Sequence, residues 1–196
     1  MQYKPEDFSG LIGAQGFSDI LLNNHFALYQ GYVNNVNKLS ETLLKLAEEG
    51  KTALPEYAEQ KRRLGWEWNG MRLHEYYFGN MKKGGAEKNN GALLYKTLAE
   101  QFGSVEKWEK DFRATGAMRG IGWTILYQDP LSKNLFNTWV TEHDMGHLAG
   151  CKPLLVLDVF EHAYMPDYGL KRADYIEAFM RAADWTVIEK RYSDSA

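Results

Sequence analysis

The stretch from Lys152 to Tyr168, KPLLVLDVFEHAYMPDY, constrains the fold most, because it joins a buried-strand pattern to a group of ionisable side chains. Residues 154–157 form an uninterrupted apolar run, which predicts a core strand. Asp158, Glu161 and His162 follow at its end. Burying an unpartnered charge is costly, so such groups are normally paired or bound to a metal ion. The alternative is a polar strand end with one capping acid.

Composition limits the partners that the protein can have. The 196 residues include 23 Lys or Arg and 26 Asp or Glu, a net charge of −3, so no basic surface indicates nucleic acid or an anionic membrane. The single Cys151 excludes an internal disulfide and a cysteine-based zinc site, and it fits a reducing compartment. No apolar window is long enough for a membrane span, and no secretory signal pattern is present. We therefore expect a cytoplasmic protein without a membrane partner.

Periodicity predicts two long helices in the first half of the chain. One runs from residue 18 to about residue 49, and the other from about 64 to 80, with a charged connector or short helix over 51–63. Before them lies an extended, glycine-punctuated arm. A glycine-rich hinge follows the second helix, so we expect an N-terminal helical hairpin domain over residues 1–85 and a C-terminal domain over 86–196.

The second half mixes helical and strand patterns. They predict helices at 93–102, 105–117 and 173–192, and an antiparallel meander of strands at 123–127, 135–141 and 154–157. The predicted fold class is therefore α+β. An N-terminal long-helix hairpin packs on a C-terminal domain whose three-stranded antiparallel sheet is flanked by helices.

Histidines recur in both halves. His25 lies in the first helix with Tyr29 and Tyr32 at i+4 and i+7, so the three side chains share one face. His74 lies among aromatic residues in the second helix. Taken alone, each histidine is more typical of core packing than of a metal ligand.

The segment DVFEHAY resembles a motif of the iron/manganese superoxide dismutases, which have Trp at the place of Phe160. The resemblance extends over nearly the whole chain, through YVNNVNKL at 32–39, NGMRLHEYYFGNM at 69–81 and FGSVEKWEKDF at 102–112. It implies a dismutase that converts superoxide to dioxygen and hydrogen peroxide, with one iron or manganese ion per subunit in a homodimer or homotetramer.

The resemblance also implies roles for individual residues. The metal ligands would be His25, His74, Asp158 and His162. The residues acting around the metal would be Tyr32, His143 and Tyr29. The pocket wall would be formed by Trp123, Phe78 and Phe160, with Phe78 also at a place where the family has Trp. Glu161 and Tyr164 would bridge the dimer.

Two assignments keep alternatives. In the family the gateway tyrosine lies eight residues after the first ligand histidine, whereas Tyr32 lies seven after His25, and a gapless alignment would place Asn24 at the ligand position. A π-bulge present in the family and absent here would restore His25. At the end of the second strand, His147 is the alternative to His143, and this loop, EHDMGH, could also bind a metal by itself.

Functional alternatives remain at this stage as well. The same fold could bind a metal for another oxidative reaction, since three histidines and one aspartate are close to the ligand sets of non-haem iron oxygenases. It could also bind metal without catalysis, or act as a metal-free scaffold.

Overall fold

Two long helices dominate the N-terminal half of the computed structural model, which describes residues 2–89 and 91–194. Helix α1 spans Asp19–Glu48 and helix α2 spans Pro55–Gly79. The hydroxyl of Ser18 caps α1 by accepting a hydrogen bond from the Leu21 N–H. The predicted arm before α1 contains one 3₁₀ turn, Ser9–Leu11.

Of the two predictions for residues 51–63, a connector or a short helix, the structure agrees with a helix from Pro55 onward, which forms the first turns of a longer α2. Proline suits the first turn of a helix, because it lacks the N–H that would have no partner there and its φ is already helical. The charged residues 55–63 form the exposed end of this helix. These residues are polar because they face solvent, and their backbone is helical.

The two helices pack as an antiparallel hairpin. The Phe26 ring contacts the Phe78 ring at 5.0 Å, and Asn35 of α1 bonds to Glu67 of α2. Later residues of α1 therefore meet earlier residues of α2. The predicted long-helix hairpin is confirmed.

The sheet has three antiparallel-paired strands, β1 (Gly122–Gln128), β2 (Leu135–Thr141) and β3 (Lys152–Asp158), in the order β2-β1-β3. The predicted meander order is wrong, because β1 and not β2 is central. All seven residues of β1 are buried, whereas β2 carries polar, partly exposed residues such as Asn137 and Thr138, which suit an edge.

Helices surround the sheet, as the fold class predicts. They are α3 (Leu93–Phe102), α4 (Val105–Gly116), the single turn α5 (Met165–Tyr168), α6 (Arg172–Ala182) and α7 (Trp185–Ser193). The single helix predicted over 173–192 is divided, because Ala183 is extended and forms a β-bridge with Met81. The side chain of Asp184 then caps α7 at the Thr186 N–H.

The hairpin packs against the sheet through β3. The buried side chain of Asn80, just after α2, donates a hydrogen bond to the Val156 carbonyl at 2.7 Å. This contact places the last turns of α2 beside the end of β3 at Asp158.

The domain boundary near residue 85 stays a prediction. Over the described residues, none of the helices has the length and hydropathy needed to cross a bilayer.

Candidate metal centre

Four side chains converge where the helical hairpin meets the end of β3. Oδ2 of Asp158 lies 3.2 Å from Nε2 of His25, 3.2 Å from Nε2 of His162 and 3.6 Å from Nε2 of His74. Two ligands at roughly 2.1 Å from one metal ion, with an angle of 90–120° between them, lie about 3.0–3.6 Å apart. The observed spacing is therefore that of donor atoms sharing one ion.

Each candidate ligand comes from a different element. Helices α1 and α2 supply His25 and His74, β3 ends in Asp158, and a 3₁₀ turn after β3 supplies His162. Oδ1 of Asp158 accepts a hydrogen bond from the Phe160 N–H at 2.8 Å, a local turn that ends the strand and leaves Oδ2 facing the histidines.

The register of helix α1 favours His25 over Asn24 as the candidate ligand. The helix is α-helical throughout, without a π-bulge. In this register His25 is fully buried and reaches Asp158, whereas Asn24 is exposed. Seven residues cover nearly two helical turns, so Tyr32 lies on the same side of α1. The seven-residue spacing between His25 and Tyr32 is therefore compatible with a regular α-helix.

The orientation of His74 fits a metal ligand. Its Nδ1–H donates to the Gly70 carbonyl at 2.6 Å, which leaves the lone pair on Nε2. That Nε2 is buried and has no hydrogen-bond partner among the described residues. A buried polar atom without a partner is unfavourable unless something else binds it. Three imidazoles and one carboxylate, without a thiolate, suit iron or manganese.

Electrostatics keep these groups in the protonation states that bind metals. Burial lowers the pKa of His25 and of His74 below the usual value, so both imidazoles are neutral near pH 7. Burial alone would raise the pKa of Asp158, but His162 and His25 more than offset this effect and lower it. His25 and His74 therefore offer neutral nitrogens, and Asp158 offers an ionised oxygen.

Tyr32 and His143 form a hydrogen-bonded pair beside the candidate ligands. Nε2 of His143 lies 2.8 Å from the Tyr32 hydroxyl, and its Nδ1 accepts the indole N–H of Trp123 at 3.0 Å. Burial lowers the pKa of His143 to about 4, so the ring is neutral at pH 7. Because Nδ1 is an acceptor, the single ring proton is on Nε2 and is donated to the Tyr32 oxygen. The hydroxyl proton of Tyr32 is then available to another acceptor.

His147 lies outside this pair. Its Nε2–H donates to the backbone carbonyl of His143 at 2.9 Å, and its Nδ1 accepts from the Tyr127 hydroxyl at 2.7 Å. Of the two histidines in the loop, the structure brings His143 to the pocket, and His147 supports the backbone behind it. The candidate ligand cluster includes neither of them.

Tyr29 is buried, but its hydroxyl faces away from the Tyr32–His143 pair. It donates to Oε1 of Glu75 at 3.0 Å and accepts the Glu6 N–H at 2.9 Å. These bonds join the N-terminal arm to α2. Among the described residues, no hydrogen bond joins Tyr29 to the Tyr32–His143 pair. This kind of contact therefore gives no support to the role predicted for Tyr29 around the metal.

Aromatic rings enclose the cluster. The rings of Phe78 and Trp123 contact the His25 and His74 rings edge-on, at 4.9 and 5.0 Å between centroids. Phe160 stacks on the remaining ligand histidine at 5.2 Å. All three predicted wall residues thus surround the site. Their apolar surfaces limit the access of water to it.

The sequence reasoning did not assign Trp66 to the pocket. Its ring lies 4.4 Å from the ring of His143, and its indole N–H donates to the Glu142 carboxylate at 3.1 Å. The signal available in the sequence was the density of aromatic residues around His74 in this helix.

The two predicted dimer residues have different environments. Glu161 is exposed, and its carboxylate makes no hydrogen bond or ion pair with the described residues. Tyr164 is buried, and its hydroxyl accepts a hydrogen bond from Arg172 at 3.1 Å. The same Arg172 donates to two backbone carbonyls before β1. The adjacent His162 is the candidate ligand with a partly exposed side chain, at 24%.

Gly70 leaves room for Tyr32, and this gives a prediction. A Cβ at Gly70 would lie 2.6 Å from Cδ1 of Tyr32. Because α2 is rigid, we expect Gly70→Ala to displace the Tyr32 ring, to break its hydrogen bond to His143, and to lower the free energy of unfolding by about 1–3 kcal/mol, as overpacking does. Urea unfolding and a crystal structure of the variant would measure both effects.

Gly65→Ala is the matched control in the same helix, since a Cβ there has no neighbouring atom within 4 Å. It should raise the free energy of unfolding by about 0.5–1 kcal/mol, because alanine is the better helix former. Equal stabilisation by both substitutions, with the bond between Tyr32 and His143 intact, would contradict this account of Gly70.

Comparison with known proteins places the chain in a family. Residues 89–191 match the C-terminal domain of the iron/manganese superoxide dismutases. The superoxide dismutase [Mn] 2 of Haloferax volcanii is 38% identical over 176 residues, which cover 90% of this chain and 86% of that protein. The superoxide dismutase [Fe] of Aquifex pyrophilus is 34% identical over 194 residues, 96% of this chain and 90% of that protein.

A third relative, the superoxide dismutase [Fe] of Cupriavidus metallidurans, is 38% identical over 185 residues, with 91% of this chain and 89% of that protein covered. These similarities span both halves of the chain, and they agree with the three-histidine, one-aspartate cluster at the junction of the halves. The chain therefore belongs to the iron/manganese superoxide dismutase family.

Proposed function

We propose that the protein is a superoxide dismutase, which converts two superoxide anions and two protons into dioxygen and hydrogen peroxide at one iron or manganese ion per subunit. The observation that carries the proposal is the convergence of three imidazole Nε2 atoms on Oδ2 of Asp158 at 3.2–3.6 Å. When bound, the ion supplies the one-electron oxidation and reduction that dismutation requires.

His25, His74, His162 and Asp158 are the proposed ligands. Three neutral imidazoles and one carboxylate reduce the charge of a divalent ion to +1 and of a trivalent ion to +2, so the site keeps a positive charge that favours a small anionic substrate. Relatives named for manganese and for iron are about equally similar to this chain. The proposal therefore covers either metal.

Protons for the peroxide product would come through Tyr32. Burial raises the pKa of its hydroxyl above the usual value, so Tyr32 keeps its proton at physiological pH. Because the hydroxyl oxygen accepts from Nε2 of His143, the hydroxyl proton can be donated into the pocket. Trp123 fixes His143 from the other side. Tyr32 and His143 are thus the proposed proton-holding pair.

The alternatives are less well supported. The retention of His25 in the cluster argues against a metal-free scaffold. The similarity to dismutases over most of the chain favours superoxide over another oxidative substrate. A cytoplasmic location is also part of the proposal.

His25→Ala tests the ligand set, with Asn24→Ala as the matched control one residue earlier. We expect wild type to contain about one iron or manganese per chain and to consume superoxide. His25→Ala should lose metal, and its turnover should fall by more than the roughly 10–100-fold that is typical of losing a group that only supports a ligand. Asn24→Ala should resemble wild type, because Asn24 is exposed.

Elemental analysis and a superoxide-consumption assay on the same preparations give both readouts. A fully metallated, active His25→Ala together with an inactive Asn24→Ala would reverse the assignment. A metallated wild-type protein that leaves superoxide unchanged would refute the proposed activity.

A homodimer is part of the proposal, through the surface around Glu161. Its carboxylate is exposed next to His162, and among the described residues it has no partner of its own. A second subunit could supply that partner in the form of its own ligand histidine. Tyr164 would support the same contact.

Glu161→Ala should therefore weaken the dimer and lower the metal content together, because one bridge serves both. Sedimentation velocity and elemental analysis would measure the two effects. Asp174→Ala is the control for loss of an exposed acidic side chain, since Asp174 lies in the first turn of α6 and makes no side-chain hydrogen bond or ion pair with the described residues. An intact, fully metallated Glu161→Ala dimer would exclude the bridging role, and a stable tetramer in wild type would extend the assembly.

A further inference from the structure

His143 lies at the tip of a tight turn that follows β2. Thr141 and Met145 close this turn through two backbone hydrogen bonds, at 2.8 and 3.3 Å. The residue before His143, Glu142, has φ of +51°, in the left-handed region. A residue with a Cβ is rarely found there, and it persists only where its surroundings hold it. The orientation of His143 thus depends on whatever holds Glu142.

Trp66 of α2 contacts both of these residues. Its indole N–H donates to Oε2 of Glu142 at 3.1 Å, and its ring lies 4.4 Å from the His143 ring at an interplanar angle of 70°. The indole nitrogen can only donate and the carboxylate can only accept, so the bond has one polarity and is assisted by charge. One side chain therefore fixes the backbone before His143 and packs against its ring.

Trp66 is itself held by an ion pair between the exposed Arg63 and the buried Glu67. The guanidinium carbon of Arg63 lies 3.8 Å from the Trp66 ring centroid, a cation–π distance. Nε of Arg63 and its NH2 group both lie 2.8 Å from Oε1 of Glu67, which is only 3% exposed. Asn35 of α1 donates to the other carboxylate oxygen at 3.1 Å. The buried charge of Glu67 thus anchors Arg63 against Trp66.

We propose that Trp66 is a positioning residue for His143, because it holds the left-handed turn at Glu142 that presents Nε2–H of His143 to Tyr32. Arg63 and Glu67 keep Trp66 in place from the outer side. Among the described residues, Trp66 makes no hydrogen bond to a candidate metal ligand. Its ring contacts the rings of His143 and Tyr32, at 4.4 and 5.7 Å between centroids, so it acts through this pair. The predicted effect on superoxide turnover rests on the proposed function, whereas the predicted effect on the His143 tautomer does not.

Trp66→Phe removes the indole N–H and keeps an aromatic ring. Glu142→Ala removes the carboxylate that accepts this hydrogen bond. Because Glu142 is exposed, that variant should fold even if Trp66→Phe does not. Glu142→Gln keeps an oxygen that can accept the bond. Trp68→Phe is the matched control, since Trp68 lies on the same helix, is 39% exposed, and directs its N–H to Tyr3.

The structural readout is long-range ¹H–¹⁵N NMR of the five histidines in the metal-free protein. We expect a single Nε2–H tautomer of His143 in wild type, Trp68→Phe and Glu142→Gln. Averaged tautomers are expected in Trp66→Phe and Glu142→Ala. In metal-loaded protein, these two variants should lose about tenfold in superoxide turnover at unchanged metal content, as is typical for groups that orient a site from outside it.

An unchanged His143 tautomer in both Trp66→Phe and Glu142→Ala, with turnover equal to that of Trp68→Phe, would overturn the inference. Altered tautomers in a protein whose wild type does not consume superoxide would support the positioning role and refute the proposed function. The two failures are therefore distinguishable.

Discussion

The structure depends on a buried carboxylate that faces three imidazoles. Asp158 ends the most apolar part of the sheet, and its Oδ2 lies within 3.6 Å of three histidine nitrogens. Without a bound ion, so many polar atoms in a dry space would be unfavourable, and one of them, Nε2 of His74, has no protein partner among the described residues. The helical hairpin, the sheet and the turn after β3 each contribute to this point. The fold therefore brings together four candidate ligands from distant parts of the chain.

Much of this arrangement could be predicted from the sequence, because the ligands lie in strongly patterned segments. The apolar run before Asp158 marks a strand end, and His74 lies in a dense aromatic helix, so both predicted positions agree with the structure. His25 was harder, since its spacing to Tyr32 differs from that of the family. The structure favours His25, because seven residues of a regular helix return to nearly the same face. The sheet order was mispredicted, since local patterns give strand positions but not which strand is central.

The surroundings of His143 could not be predicted in the same way. The contact of Trp66 with Glu142 joins residues 76 positions apart, and no sequence motif links the two. Glu67 appears in the sequence as one of many helical acids, yet it is buried with Arg63 as its partner. The left-handed backbone at Glu142 could not be predicted from the sequence either, because a glutamate does not indicate a positive φ. Such features arise from tertiary contacts, and they determine how a predicted residue is oriented.

The most direct test of the central claim is anomalous diffraction at the iron or manganese absorption edge from crystals of the metal-loaded protein. The account predicts one anomalous peak per chain, at about 2.0–2.2 Å from Nε2 of His25, His74 and His162 and from an oxygen of Asp158. A peak elsewhere, for example in the loop of His143 and His147, or a metal coordinated without His25, would contradict it.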